Sequence, residues 1–146
     1  MIPKGPEDPR FVDAILDWRW TGFLARLALV GAYLVGAIVK LADWPAAVAE
    51  QAHFGMPHPA LWAALVVAVE IAGPVMILSG RLVWLGAGML SVFTLLAAIK
   101  ANAFWAMPAG QDRLMATNAF FEHLGLIGGF VLAALVAEHA VRQARA

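Results

Sequence analysis

Glu70 sits in the middle of VVAVEIAGPVMI (residues 66–77), a stretch otherwise suited to a lipid-buried helix. A charge at the centre of a membrane helix costs about 2.5–3.5 kcal/mol on insertion scales, so such groups pair or face a cavity. Arg26, in the apolar run of residues 20–41, offers a partner. At about 1.5 Å per residue, Arg26 lies about 9 Å and Glu70 about 13 Å from the same side of the bundle, a difference an arginine side chain spans. An Arg26–Glu70 ion pair is therefore expected. In a chemical role, Glu70 would accept or relay a proton, and Arg26 would hold its carboxylate ionised. In a structural role, the same pair would only fix how the helices align.

Other polar residues gather around this axis. Arg26, Tyr33 and Lys40 recur at intervals of seven, which puts them on one helix face. Tyr33 could hydrogen-bond a ligand or simply pack. Pro74 lies four residues beyond Glu70, where its ring clashes with the Glu70 carbonyl and removes a helix hydrogen bond. A broken helix is expected there, and Gly73 lets another helix or a ligand approach. Further along, Lys100 and Glu122 fall at similar depth near Asn102, Asn118 and His123, so a second pair and a polar pocket are expected. Lys40 and Lys100 could instead snorkel outward, and Glu122 and His123 could be idle interfacial residues.

These residues sit in a very apolar chain. Of 146 residues, 62% are hydrophobic and 14% charged, and the mean hydropathy is +0.78. A soluble domain is about 45–50% apolar and about 25% charged, so the chain reads as one integral membrane domain. Ten basic residues balance ten acidic ones, which gives no footprint for nucleic acid. With no cysteine, the chain has no disulfide, thiolate nucleophile or cysteine-held metal cluster. His53, His58, His123 and Glu122 show no metal-ligand spacing, and His123 alone is placed for an axial haem contact, so no metal is assigned. Phosphate-loop, dinucleotide and hydrolase-triad motifs are absent as well.

The fold class is all-α, a four-transmembrane-helix bundle running up and down, antiparallel. Its spans cover about residues 20–41, 60–79, 82–104 and 118–137. Residues 1–19 form an N-terminal segment, 20–138 the membrane domain and 139–146 a tail. All six tryptophans fall near span ends, where indole rings prefer the interface. The first span is read as retained, although an A-x-A pattern follows at residues 47–49. Residues 11–20 predict a surface helix with Phe11, Ile15 and Trp18 on one face. The first loop predicts a short interfacial helix before its Gly-Met-Pro turn. Lys4, Arg10, Arg19, Arg81, Arg142 and Arg145 collect on one side, against Lys40, Lys100 and Arg113 on the other. Both termini are thus expected to be cytoplasmic.

Four stretches together resemble the DoxX family of small four-helix bacterial membrane proteins. They are LARLALVGAYLVGAIVKLADW, HFGMPHP, VEIAGPVMILSGR and FFEHLGLIGGFVL, in that order. Pro74 replaces the family's second glycine, and His123 stands where asparagine is expected. The resemblance implies a multi-pass protein of the bacterial inner membrane, associated with quinone- or quinol-linked redox complexes. It places the family's polar motif on Arg26, Lys40, Glu70, Lys100 and His123. The implied function is a membrane subunit holding a quinone headgroup, with no covalently bound cofactor and with a cofactor-bearing protein partner. A non-catalytic assembly or anchoring subunit is the alternative, and a small transporter component a third reading.

Overall fold

A computed structural model describes residues 9–145. Lys4 and the rest of residues 1–8 lie outside the described residues, as does Ala146. The described chain is helical almost throughout. Helix α1 spans Arg10–Leu16, α2 Thr21–Ala42, α3 Trp44–His53, α4 Pro59–Ser79, α5 Val83–Ala101 and α6 Gln111–Arg145. A 3-10 turn, Phe104–Ala106, precedes α6. Helices α2, α4, α5 and α6 are each long and apolar enough to cross a membrane.

Both surface helices expected in the sequence are present. Helix α1 ends at Leu16, shorter than expected, with Phe11, Ile15 and Trp18 exposed. Helix α3 starts at a cap suited to its sequence: the Asp43 carboxylate accepts a hydrogen bond from the Ala46 N–H at 3.1 Å, and Pro45 occupies the first turn. It stops before Gly55, which turns the chain at φ 70°.

Three helix bounds differ from the hydropathy spans, one of them the end of α6, which runs through the expected tail to Arg145 rather than stopping near residue 137. Helix α5 ends at Ala101, before the expected residue 104, and α6 begins at Gln111, seven residues before residue 118. Hydropathy marks the lipid-facing part of a helix and is blind to polar turns that extend it. At about 1.5 Å per residue, α6 is roughly 52 Å long, well over the hydrocarbon core of about 30 Å.

The helices pack through a small shared core of Val30, Tyr33, Ile77, Val83, Ala87, Leu90 and Phe130. Helices α4 and α5 form a tight antiparallel hairpin, turned by Gly80 at φ 71°. Glycine is needed where their backbones meet. A Cβ on Gly86 would lie 2.8 Å from the Gly73 carbonyl oxygen, and one on Gly73 would lie 2.6 Å from Leu90 Cγ. Gly73 thus admits a neighbouring helix, as small residues do in membrane bundles. Pro74 does not break α4, which runs unbroken from Pro59 to Ser79. Its ring is fully buried, where neighbouring helices support the turn that lacks one hydrogen bond.

Candidate functional site

Glu70 is buried, with 4% of its surface exposed, and its partner is Lys40. The Lys40 Nζ donates to Glu70 Oε1 at 2.9 Å and to Oε2 at 3.2 Å. The expected Arg26–Glu70 pair does not form. Side chains on a helix lean toward its N-terminus, and α2 and α4 are antiparallel. Lys40, near the C-terminal end of α2, leans inward along the bundle, and Glu70 on α4 leans outward to meet it. Arg26, near the start of α2, leans the opposite way.

Arg26 has a different task. Its Nε donates to the Gly22 carbonyl at 3.0 Å and its Nη1 to the Ile77 carbonyl at 3.3 Å. Ile77 lies in the last turn of α4, where carbonyls lack helical partners and carry the negative end of the helix dipole. The guanidinium therefore caps α4 from a neighbouring helix.

Gly36, one turn below Lys40 on the same face of α2, makes space for the acid. A Cβ at that position would lie 3.0 Å from Glu70 Oε1. Its spacing of four from Lys40 was the sequence signal for this role.

Tyr33 is 7% exposed, and its hydroxyl shares a hydrogen bond with Thr94 of α5, itself 1% exposed. Its ring packs on Phe93 and on Phe130, with centroids 6.2 and 5.5 Å apart. Tyr33 is thus a satisfied core residue. Thr94 escaped notice because a lone threonine in an apolar span carries no pattern.

Above the ion pair, toward α3, lies a cavity of about 190 Å³. Lys40 lines it from α2, Glu50 and Gln51 from α3, Trp62 and Val66 from α4, and Phe93, Leu96 and Lys100 from α5. Phe54 and Met56, in the turn after α3, and Ala97 and Ala101 of α5 complete the wall. Trp62, in the first turn of α4, is half-buried against this space. Gln51 is 7% exposed, a buried amide facing an apolar room. Glu50 and Gln51 carry no signal in the sequence, because an acid and an amide are ordinary on a short interfacial helix.

The expected polar cluster around α6 divides. Lys100 reaches the cavity, whereas Glu122 is exposed and the two form no ion pair among the described residues. His123 Nδ1 is 2.6 Å from the Ala119 carbonyl oxygen, one turn back on its own helix, which ties the ring to α6. The walls of the cavity come from α2, α3, α4 and α5, so neither Glu122 nor His123 belongs to it. No group of three or more candidate metal ligands occurs among the described residues.

The site is a single apolar and aromatic room with a few polar groups, the usual make-up of a small-molecule pocket. Lysine has three N–H donors; two of those on Lys40 serve Glu70, which leaves one for an occupant. No curated protein and no solved structure matches the chain. The DoxX family model matches residues 22–104, which include all of α2 but its first residue, α3, α4, α5, the ion pair and every wall of the cavity. The chain belongs to the DoxX family of membrane proteins.

Proposed function

We propose that this protein is a membrane subunit of a quinone-linked redox complex and that the cavity beside Lys40 receives the headgroup. The cavity carries this reading. At about 190 Å³ it exceeds the roughly 150 Å³ of an apolar cavity that holds benzene, so it suits one substituted ring whose tail continues into lipid. Trp62, Phe93 and Phe54 supply aromatic walls, and Lys40, Lys100 and Gln51 supply donors for carbonyl oxygens. Two lysines there are balanced by Glu50 and Glu70, which favours a neutral headgroup over a permanent ion.

The chain has no cysteine, so electrons would pass through a cofactor-bearing partner protein, with this subunit holding the carrier. The excess of basic residues on the side of the termini supports a cytoplasmic placement of both ends, in a bacterial inner membrane.

The test is equilibrium binding of a decyl-tailed benzoquinone to the purified protein and to Ala97→Phe, which fills the cavity. Saturable binding lost in the filled variant is the expected result. Equal binding by both proteins would place the quinone elsewhere. The Lys40–Glu70 pair also suits an anchoring subunit that only packs against a larger complex. That reading predicts that deletion lowers the amount of the complex while turnover per complex stays constant.

A further inference from the structure

The ion pair and the cavity share one ammonium, and this sets a charge rule for what the cavity can hold. Lys40 lines the cavity and also grips both carboxylate oxygens of Glu70, which does not itself line it. Glu70 meets any occupant only through Lys40. We propose that the site takes an acidic headgroup only together with one proton, which Glu70 accepts, whereas a neutral headgroup enters without one. This rests on the reading of the cavity as a headgroup site.

The argument is one of charge. A neutral carbonyl oxygen uses the third N–H of Lys40 and leaves the Glu70 pair intact. An anionic oxygen puts a second negative charge on an ammonium that Glu70 has already neutralised. In a poorly solvated site, two acids sharing one cation do not both stay ionised. Protonation of Glu70 removes one of the two charges, and the Lys40 ammonium then turns to the new anion. The bound anion and the proton together add no net charge to the bundle.

The surroundings leave few other places for the proton. Lys40 and Tyr33 face Glu70 from α2, and Tyr33 is engaged with Thr94. Glu50 of α3 lies across the cavity at an exposed position, and Lys100 is the charged group that α5 contributes. Glu70 is the acid farthest from water, and it is the one whose counter-ion the ligand takes.

The experiment is calorimetric titration of the purified protein, near neutral pH, in two buffers of different ionisation heat. The probes are an ionised hydroxynaphthoquinone and the neutral decyl-tailed benzoquinone. Uptake of one proton with the anion and none with the neutral ring is expected. Affinity for the anion should fall about tenfold for each unit that pH rises. In Glu70→Gln the anion should bind without proton uptake and with a flat pH profile. Binding of the anion to the wild type without proton uptake would overturn the proposal, as would binding of the neutral probe alone. So would uptake retained in Glu70→Gln, which would put the proton on Glu50 or on the naphthoquinone oxygen itself. Failure of both probes to bind would instead overturn the reading of the cavity. Where Glu70→Gln does not fold, infrared difference spectra of the wild type decide: a protonated-carboxyl C=O band must appear on binding the anion, and its absence overturns the proposal.

Discussion

Gly36 faces Glu70 so closely that a Cβ on Gly36 would lie 3.0 Å from the carboxylate oxygen Oε1. The same oxygen is held by Lys40, one turn further along α2. A glycine and a lysine four residues apart thus form a socket and a clasp for one buried acid.

Enlarging the socket residue should dislodge the acid. Overpacking a filled interior costs about 1–3 kcal/mol, and Gly36→Val should reach the upper end because its side chain meets the carboxylate directly. Gly36→Ala should cost less, since the carboxylate has only tenths of an ångström to give. Thermal unfolding in detergent measures both, and the order Val below Ala below wild type is expected. Quinone binding should weaken in the same order as Lys40 is displaced from the cavity wall.

Breaking the clasp should cost more than removing it. Lys40→Met or Glu70→Leu alone strands a charge away from water, with an expected loss of about 3–5 kcal/mol. The double variant leaves no orphan and should recover most of that stability. A double-mutant cycle with purely additive losses would show that the pair is not coupled.

Arg26 should be independent of Glu70. Removing the guanidinium in Arg26→Met leaves the Ile77 carbonyl with the Gly80 N–H at 3.4 Å, so the loss should be that of one hydrogen bond, about 0.5–1.5 kcal/mol. Combined with Glu70→Gln, the two losses should add. Strong coupling would revive the pairing that depth along the helices suggested.

The Tyr33–Thr94 hydrogen bond joins α2 to α5 inside the core. Interhelical hydrogen bonds in membrane bundles average about 0.6 kcal/mol and reach about 1.7. Tyr33→Phe should therefore lower stability by about 1 kcal/mol and leave quinone affinity unchanged, because Tyr33 does not line the cavity. Loss of binding with retained stability would return Tyr33 to the ligand site.

How far these arrangements can be read from the chain alone depends on which physical quantity carries them. The four spans, α1 and α3 were legible because hydropathy, helical spacing and tryptophan placement are properties of single segments. The partner of Glu70 was not. Arg26 and Lys40 share a face of α2 and both have the reach, so counting residues from the helix ends favoured Arg26. What decides between them is the lean of each side chain toward its own N-terminus, together with the antiparallel direction of α4. That quantity belongs to a pair of helices. The cavity was hidden for a related reason: its walls come from four helices, and Gln51 and Trp62 become informative only when α3 folds over α4.

Arg26 and Lys40 also fasten α4 to α2 at two heights, Ile77 and Glu70. These points are seven residues apart, roughly 10 Å along the helix axis. Two stitches at that separation oppose both sliding and rolling of one helix on the other, as two rivets hold a pair of beams where one would let them pivot. The floor of the cavity is therefore its stiff part. Admission of an occupant would fall to α3, which is short, joined to α2 through Asp43 alone and followed by the turn at Gly55.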